Sequence, residues 1–190
     1  MCEENKKPTA IFLVGMMAAG KTTVGKYLAQ RLGWDFYDND EEVEKQAGMT
    51  VSDIFAKEGE WGFRSRETAM LARLTSRPGS VLATGGGVPM FEINRKILRR
   101  GLVIQLMCRV SDVLERTRGD DTRPLLRSAD PAGRIRLLML EREPVYQSVS
   151  DIDISTSRIS PNEVIDEILS LEKVKETIRE FERIRAEMKE

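Results

Sequence analysis

The segment Gly15-Met16-Met17-Ala18-Ala19-Gly20-Lys21-Thr22 has the residue types and spacing of a phosphate-binding loop, G-x-x-x-x-G-K-[ST]. It follows the apolar run Ala10 to Val14 and precedes a helical pattern ending at Leu32, the strand–loop–helix context such a loop requires. Glycines let the backbone curl until several N–H groups face one anion beside a helix N-terminus. The backbone of Met17, Ala18, Ala19 and Gly20 would form that cradle. Lys21 would place its charge on the β- and γ-phosphates, and Thr22 would offer a hydroxyl to magnesium. These residues predict a site for a nucleoside triphosphate.

Three other groups carry chemistry. Asp38-Asn39-Asp40 follows a second strand candidate, Asp35 to Tyr37. Alternation at the strand end would point both carboxylates toward the edge where the phosphate loop opens. They could divide the work between magnesium and a substrate hydroxyl, or simply serve an acidic helix N-terminus. Gly85-Gly86-Gly87 follows a third strand candidate. Three glycines forfeit side-chain burial and allow close approach of a ligand or another backbone. Arg64, with Glu67 three residues on to hold it, and Arg116, Arg123 and Arg142 suit a carboxylate or a transferring phosphoryl group.

The composition narrows what this chemistry can be. There is no histidine, so carboxylates, lysine, arginine and hydroxyls must act. The 30 basic and 31 acidic residues leave a net charge of -1, which gives nucleic acid no electrostatic support. Two cysteines make no disulfide framework and suit a reducing cytoplasm; no signal peptide or membrane span is expected. At 190 residues, 41% of them hydrophobic, one domain with a real core is expected.

Elements must position these residues. Strand candidates at 11–14, 35–37, 81–83, 102–107 and 152–154 alternate with helical periodicity near 21–32, 40–47, 51–75, 92–100, 112–117 and 132–148. That alternation predicts a parallel sheet with helices on both faces and a ligand at the carboxyl ends of the strands. The polar stretch from Arg116 to Asp130 reads as a mobile loop. Beyond Pro161, with a Ser160/Glu163 capping box, one long helical pattern runs to the end.

In combination these motifs resemble shikimate kinase. The match covers about Ala10 to Leu169 through GMMAAGKTTVG, FYDNDEEVEKQAG, EGEWGFRSRE, ATGGGVP, RTRGDDTRPLL and LEREPVYQSVSDIDIST, in the family's order. The resemblance implies transfer of the ATP γ-phosphate to the 3-hydroxyl of shikimate, in the shikimate pathway of aromatic amino-acid biosynthesis. It implies a P-loop NTPase-like α/β sandwich, a five-stranded parallel sheet of order 2-3-1-4-5 with a lid near 116–130. By motif, Lys21 contacts the phosphates, Thr22 ligates Mg2+ and Asp38 sits near it through water. Asp40 binds the shikimate hydroxyls and is the candidate base. Arg64 and Arg142 clamp the shikimate carboxylate, and Gly85, Gly86 and Gly87 line that site. Arg123 is the lid arginine, and Arg116 and Pro161 sandwich adenine.

Two departures from the family pattern stand out. The family usually has glycine at Ala18, whose methyl either fits because φ is negative or restricts the loop. Residues 171–190 extend past the usual end. Leu171, Val174, Ile178, Phe181, Ile184 and Met188 there form one apolar stripe, which needs burial to be stable. It either packs on its own domain, leaving a monomer, or docks on a second copy to make a dimer. Rival readings of the whole chain are a gluconate or nucleotide kinase, and a binding module that lost turnover.

Overall fold

The computed structural model describes residues 7–118 and 130–188. Five strands run in parallel: β1 (Ile11–Val14), β2 (Asp35–Asp38), β3 (Ser80–Ala83), β4 (Leu102–Met107) and β5 (Ile152–Ser155), in the order β2-β3-β1-β4-β5. The helices are α1 (Lys21–Leu32), α2 (Asn39–Ala47), α3 (Val51–Leu74), α4 (Glu92–Leu98), α5 (Val110–Arg116), α6 (Pro131–Val149), α7 (Pro161–Ser170) and α8 (Glu172–Glu187). A parallel sheet needs cover on both faces, so its central strand reads as an unbroken apolar run. The β1 sequence IFLV is such a run and is wholly buried. Phe12 and Val14 face a core built with α3, α4 and α6. Ile11 and Leu13 face a second core built with α1, α7 and α8.

Strand register then levels the ends that matter. Leu13 pairs with Ala83, and Ala83 pairs with Asp38. The phosphate loop after β1, the acidic pair after β2 and the glycine turn after β3 therefore leave the sheet at one edge. Thr84 closes that edge by donating both its N–H and its hydroxyl to Leu13 O, at 3.1 and 3.0 Å.

Three expectations change here. The strand β2 ends at Asp38 and α2 begins at Asn39, so Asp40 sits on a helical first turn rather than continuing the strand's alternation. Within α3, Gly59 adopts φ 71 and ψ −176, a conformation open to glycine alone, and divides the helix. The final helical pattern is two helices, because Leu171 takes an extended conformation (ψ 136) between α7 and α8. That turn lays the last helix on its own chain. Val174 and Thr177 are buried, and the Phe181 ring meets Trp34 edge-on at 5.1 Å and lies against Gly79. Met188, the last residue of the stripe, stays exposed. The Ser160/Glu163 capping box forms as expected, with reciprocal bonds of 2.7 and 3.3 Å.

Candidate active site

The phosphate loop wraps around its own lysine. Lys21 Nζ donates to the carbonyls of Gly15 and Met16 at 2.8 and 2.7 Å, which fixes the ammonium at the head of α1. Ala18 has φ 59, so the methyl does not sit at negative φ; it occupies left-handed backbone that a non-glycine residue enters at a cost of roughly 1–2 kcal/mol. Arg116, at the end of α5, crosses to this point. Its Nη1 donates to Ala18 O at 3.0 Å and its Nη2 to Thr156 O at 2.7 Å. Ala19 is buried in the core and donates its N–H to Met16 O at 3.2 Å.

Beside the loop, the two readings of the acidic pair coexist in one residue. Asp38 Oδ1 caps α2 by accepting from the N–H groups of Asp40 and Glu41 at 3.1 and 3.5 Å. Its Oδ2 accepts the Thr22 hydroxyl at 2.7 Å. Asp40 is half-buried, and its Oδ1 is enclosed without a hydrogen-bond partner among the described residues. Burial, then the negative charges of Glu67 and Asp38, push its carboxyl up to about 7 against the opposing pull of Lys21 and Arg64.

The glycine turn fills the space between these groups. A Cβ on Gly85 would stand 2.7 Å from both Asp40 Oδ1 and Glu67 Oε1, and one on Gly87 would stand 2.7 Å from Arg64 Nη1. No side chain fits without displacing a charged group. Arg64 donates to Glu67 Oε2 at 2.8 Å, and its guanidinium lies over Phe63 and Phe91 at 5.2 and 5.8 Å from the ring centres. Glu67 is buried, which pushes its carboxyl up despite the Arg64 and Arg142 charges beside it. Arg142, on α6, reaches Gly86 O at 3.4 Å. A cleft of about 490 Å³ is lined by Met17, Ala18, Gly20, Lys21, Thr22, Asp38, Asp40, Gly85, Gly86 and Arg116, together with Thr23 and Thr84.

The family model for shikimate kinase matches residues 17–172 of this chain. The chain belongs to the shikimate kinase family. A shikimate kinase from Bordetella avium is 49% identical over 160 residues, covering 84% of this chain and 77% of that protein. Among solved structures, shikimate kinase from Acinetobacter baumannii in complex with shikimate superposes with a TM-score of 0.82 at 45% identity, over 86% of this chain and 92% of that one. Shikimate kinase from Aquifex aeolicus gives 0.72 at 35% identity, over 84% and 93%. The five-stranded order is that of the P-loop fold expected for the family.

Not every residue assigned by motif joins the cleft of this shikimate kinase family member. Pro161 opens α7 as an exposed residue and does not line the cleft with Arg116. Arg123 and most of the 116–130 loop lie outside the described residues. Glu67 holds Arg64 as the spacing predicts and also joins it to the surroundings of Asp40; Tyr146, whose hydroxyl donates to Gly86 O at 2.7 Å, has no role in the sequence reading. The signal for Tyr146 is its spacing, four residues after Arg142 and so about one helical turn.

Proposed function

We infer that this chain transfers the γ-phosphoryl group of ATP to the 3-hydroxyl of shikimate, releasing ADP and shikimate 3-phosphate for aromatic amino-acid biosynthesis. The observation that carries the reading is the glycine turn, held between the phosphate loop on one side and Arg64 and Arg142 on the other. Phosphate donor and carboxylate-bearing acceptor would meet across it, with Asp40 at the junction.

Phosphoryl transfer needs positioning and charge neutralisation more than covalent help. Lys21 and the loop backbone would hold the β- and γ-phosphates. Arg64, oriented by Glu67, and Arg142 would take the shikimate carboxylate, for which guanidinium forks are matched in shape. Asp40 would accept the proton of the attacking hydroxyl, and a carboxyl near neutral pKa suits that task. Thr22 and Asp38 supply a hydroxyl and a carboxylate oxygen 2.7 Å apart, a hard-oxygen pair that fits Mg2+. Once bound there, magnesium would neutralise phosphate charge. Arg116, which lines the cleft beside Ala18, would hold the adenine side; by motif, Arg123 would bring its charge to the phosphates.

We also infer a division of the chain into a kinase domain, residues 1–170, and a helical brace, 171–190. Burial of Val174 against the domain's own core supports a monomer. Among the described residues no helix is long and apolar enough to cross a membrane. The test of the activity is a coupled assay of ADP release with shikimate, gluconate or no acceptor. Release with shikimate alone is the expected result; equal release with gluconate, or release without acceptor, would overturn the reading.

A further inference from the structure

The Tyr146 hydroxyl stands where the glycine turn meets the phosphate loop. It donates to Gly86 O at 2.7 Å and lies 3.8 Å from Met16 Sδ, so it touches the glycine turn and the phosphate loop at once. Gly86 is already against that loop: a Cβ placed on it would stand 3.5 Å from Gly15 O and from Met17 N. The tyrosine is wholly buried on α6, one turn beyond Arg142, which reaches the same carbonyl.

Three consecutive glycines have broad backbone freedom and no side chains with which to hold themselves. Gly85 O and Gly87 O accept the N–H groups of Val88 and Met90 at 3.1 Å each, so Gly86 O is the carbonyl of the three that a group outside the turn must fix. A planar trans peptide links the direction of the Gly86 carbonyl to that of the Gly87 N–H, which points the opposite way. Holding the carbonyl therefore aims the donor. A phenylalanine would fill the apolar surroundings as well, and a buried hydroxyl is costly unless bonded. Burial pushes the Tyr146 phenol up to about 12, so it remains a donor across the neutral range.

We propose that Tyr146 is a positioning residue for phosphoryl transfer, its hydroxyl pinning Gly86 O so that the glycine turn keeps its spacing between the phosphate loop and Arg142. The proposal rests on the reading of that turn as the acceptor side. Tyr146→Phe removes one oxygen and retains the ring packing. The expected result is a roughly three- to tenfold rise in KM for shikimate with a fall in kcat, the size of one lost buried hydrogen bond. The Kd for ATP alone, by calorimetry, stays unchanged.

Arg142→Lys, measured in parallel, separates the two ways of failing. Normal shikimate kinetics in Tyr146→Phe beside a raised KM in Arg142→Lys would overturn the tyrosine's role and leave the site reading standing. A lowered melting temperature with normal kinetics would make the hydroxyl merely structural and overturn it too. Equal weakening of ATP and shikimate would remove the specific link to the acceptor turn. Normal shikimate KM in both variants would overturn the acceptor-side reading itself, and the proposal with it.

Discussion

Asp40 is placed where its charge is useful and its neutrality is favoured. Burial, Glu67 and Asp38 all raise its carboxyl from 3.8 to about 7. The folded state then holds a proton that the unfolded chain has released, so stability falls as pH rises between those two values. Asp40→Asn removes this penalty. The variant is expected to lose turnover by about 10²–10⁴-fold, the contribution of a general base, while ATP still binds. It should also be more stable than the parent at pH 8, by a few kcal/mol at most, with the gain vanishing toward pH 4. Near-parental kcat would take Asp40 out of the mechanism, and a pH-independent stability difference would contradict its raised pKa. Ala18 holds left-handed backbone, at φ 59. Ala18→Gly relieves left-handed strain but adds freedom to the unfolded chain, so a net gain of up to about 1 kcal/mol is expected. A lower urea midpoint would show that the left-handed conformation is not held in solution.

At the scale of elements, the break in α3 decides where Arg64 goes. At its start α3 is tied to α2, where Val51 N–H donates to Glu44 Oε1 at 2.8 Å, and beyond the turn at Gly59 Phe63 enters the core and Arg64 faces the glycine turn. A Cβ at Gly59 meets no neighbouring atom, so any penalty there is one of backbone conformation alone. Gly59→Ala is expected to cost roughly 1–3 kcal/mol and, by re-aiming Arg64, to raise KM for shikimate more than KM for ATP. Chemical denaturation and steady-state kinetics read the two effects separately. Unchanged stability would mean that the break is not needed. The helix α8 shows the converse case, an element whose partner was open between two surfaces. Its stripe turns inward because the chain bends at Leu171, delivering Val174 to the core beneath α7 and Phe181 to Trp34.

For the molecule as a whole, that bend predicts the behaviour of a chain ending at Ser170. It should remain an active kinase, since the site residues precede the cut. Loss of the buried Val174 and the half-buried Ile178 and Phe181 should lower its melting temperature by roughly 5–15 °C. Full chain and truncated chain should both run as monomers in sedimentation. A dimer that dissociates on truncation would instead place the stripe in a second copy, and an unchanged melting temperature would make the segment a loose tail.

The fold class and most of the candidate site were legible because their signals are local. The phosphate loop, the Asp38/Asp40 spacing and the glycine triplet each lie within a few residues of a strand end, and apolar runs alternating with helical periods specify a parallel sheet. Caps such as Ser160/Glu163 are local in the same way, closing within one turn. The sequence by itself determined which chemical groups are available and which sheet edge they leave from. Only the tertiary structure decided the sign of φ at Ala18, the proton affinity of Asp40, the approach of Glu67 to Gly85 and the partner of Tyr146. Those properties arise from atoms far apart in the chain: Gly86 meets Tyr146 across 60 positions, and Ala18 meets Arg116 across 98. Burial and electrostatic fields sum over all such neighbours, and no short stretch of sequence contains them.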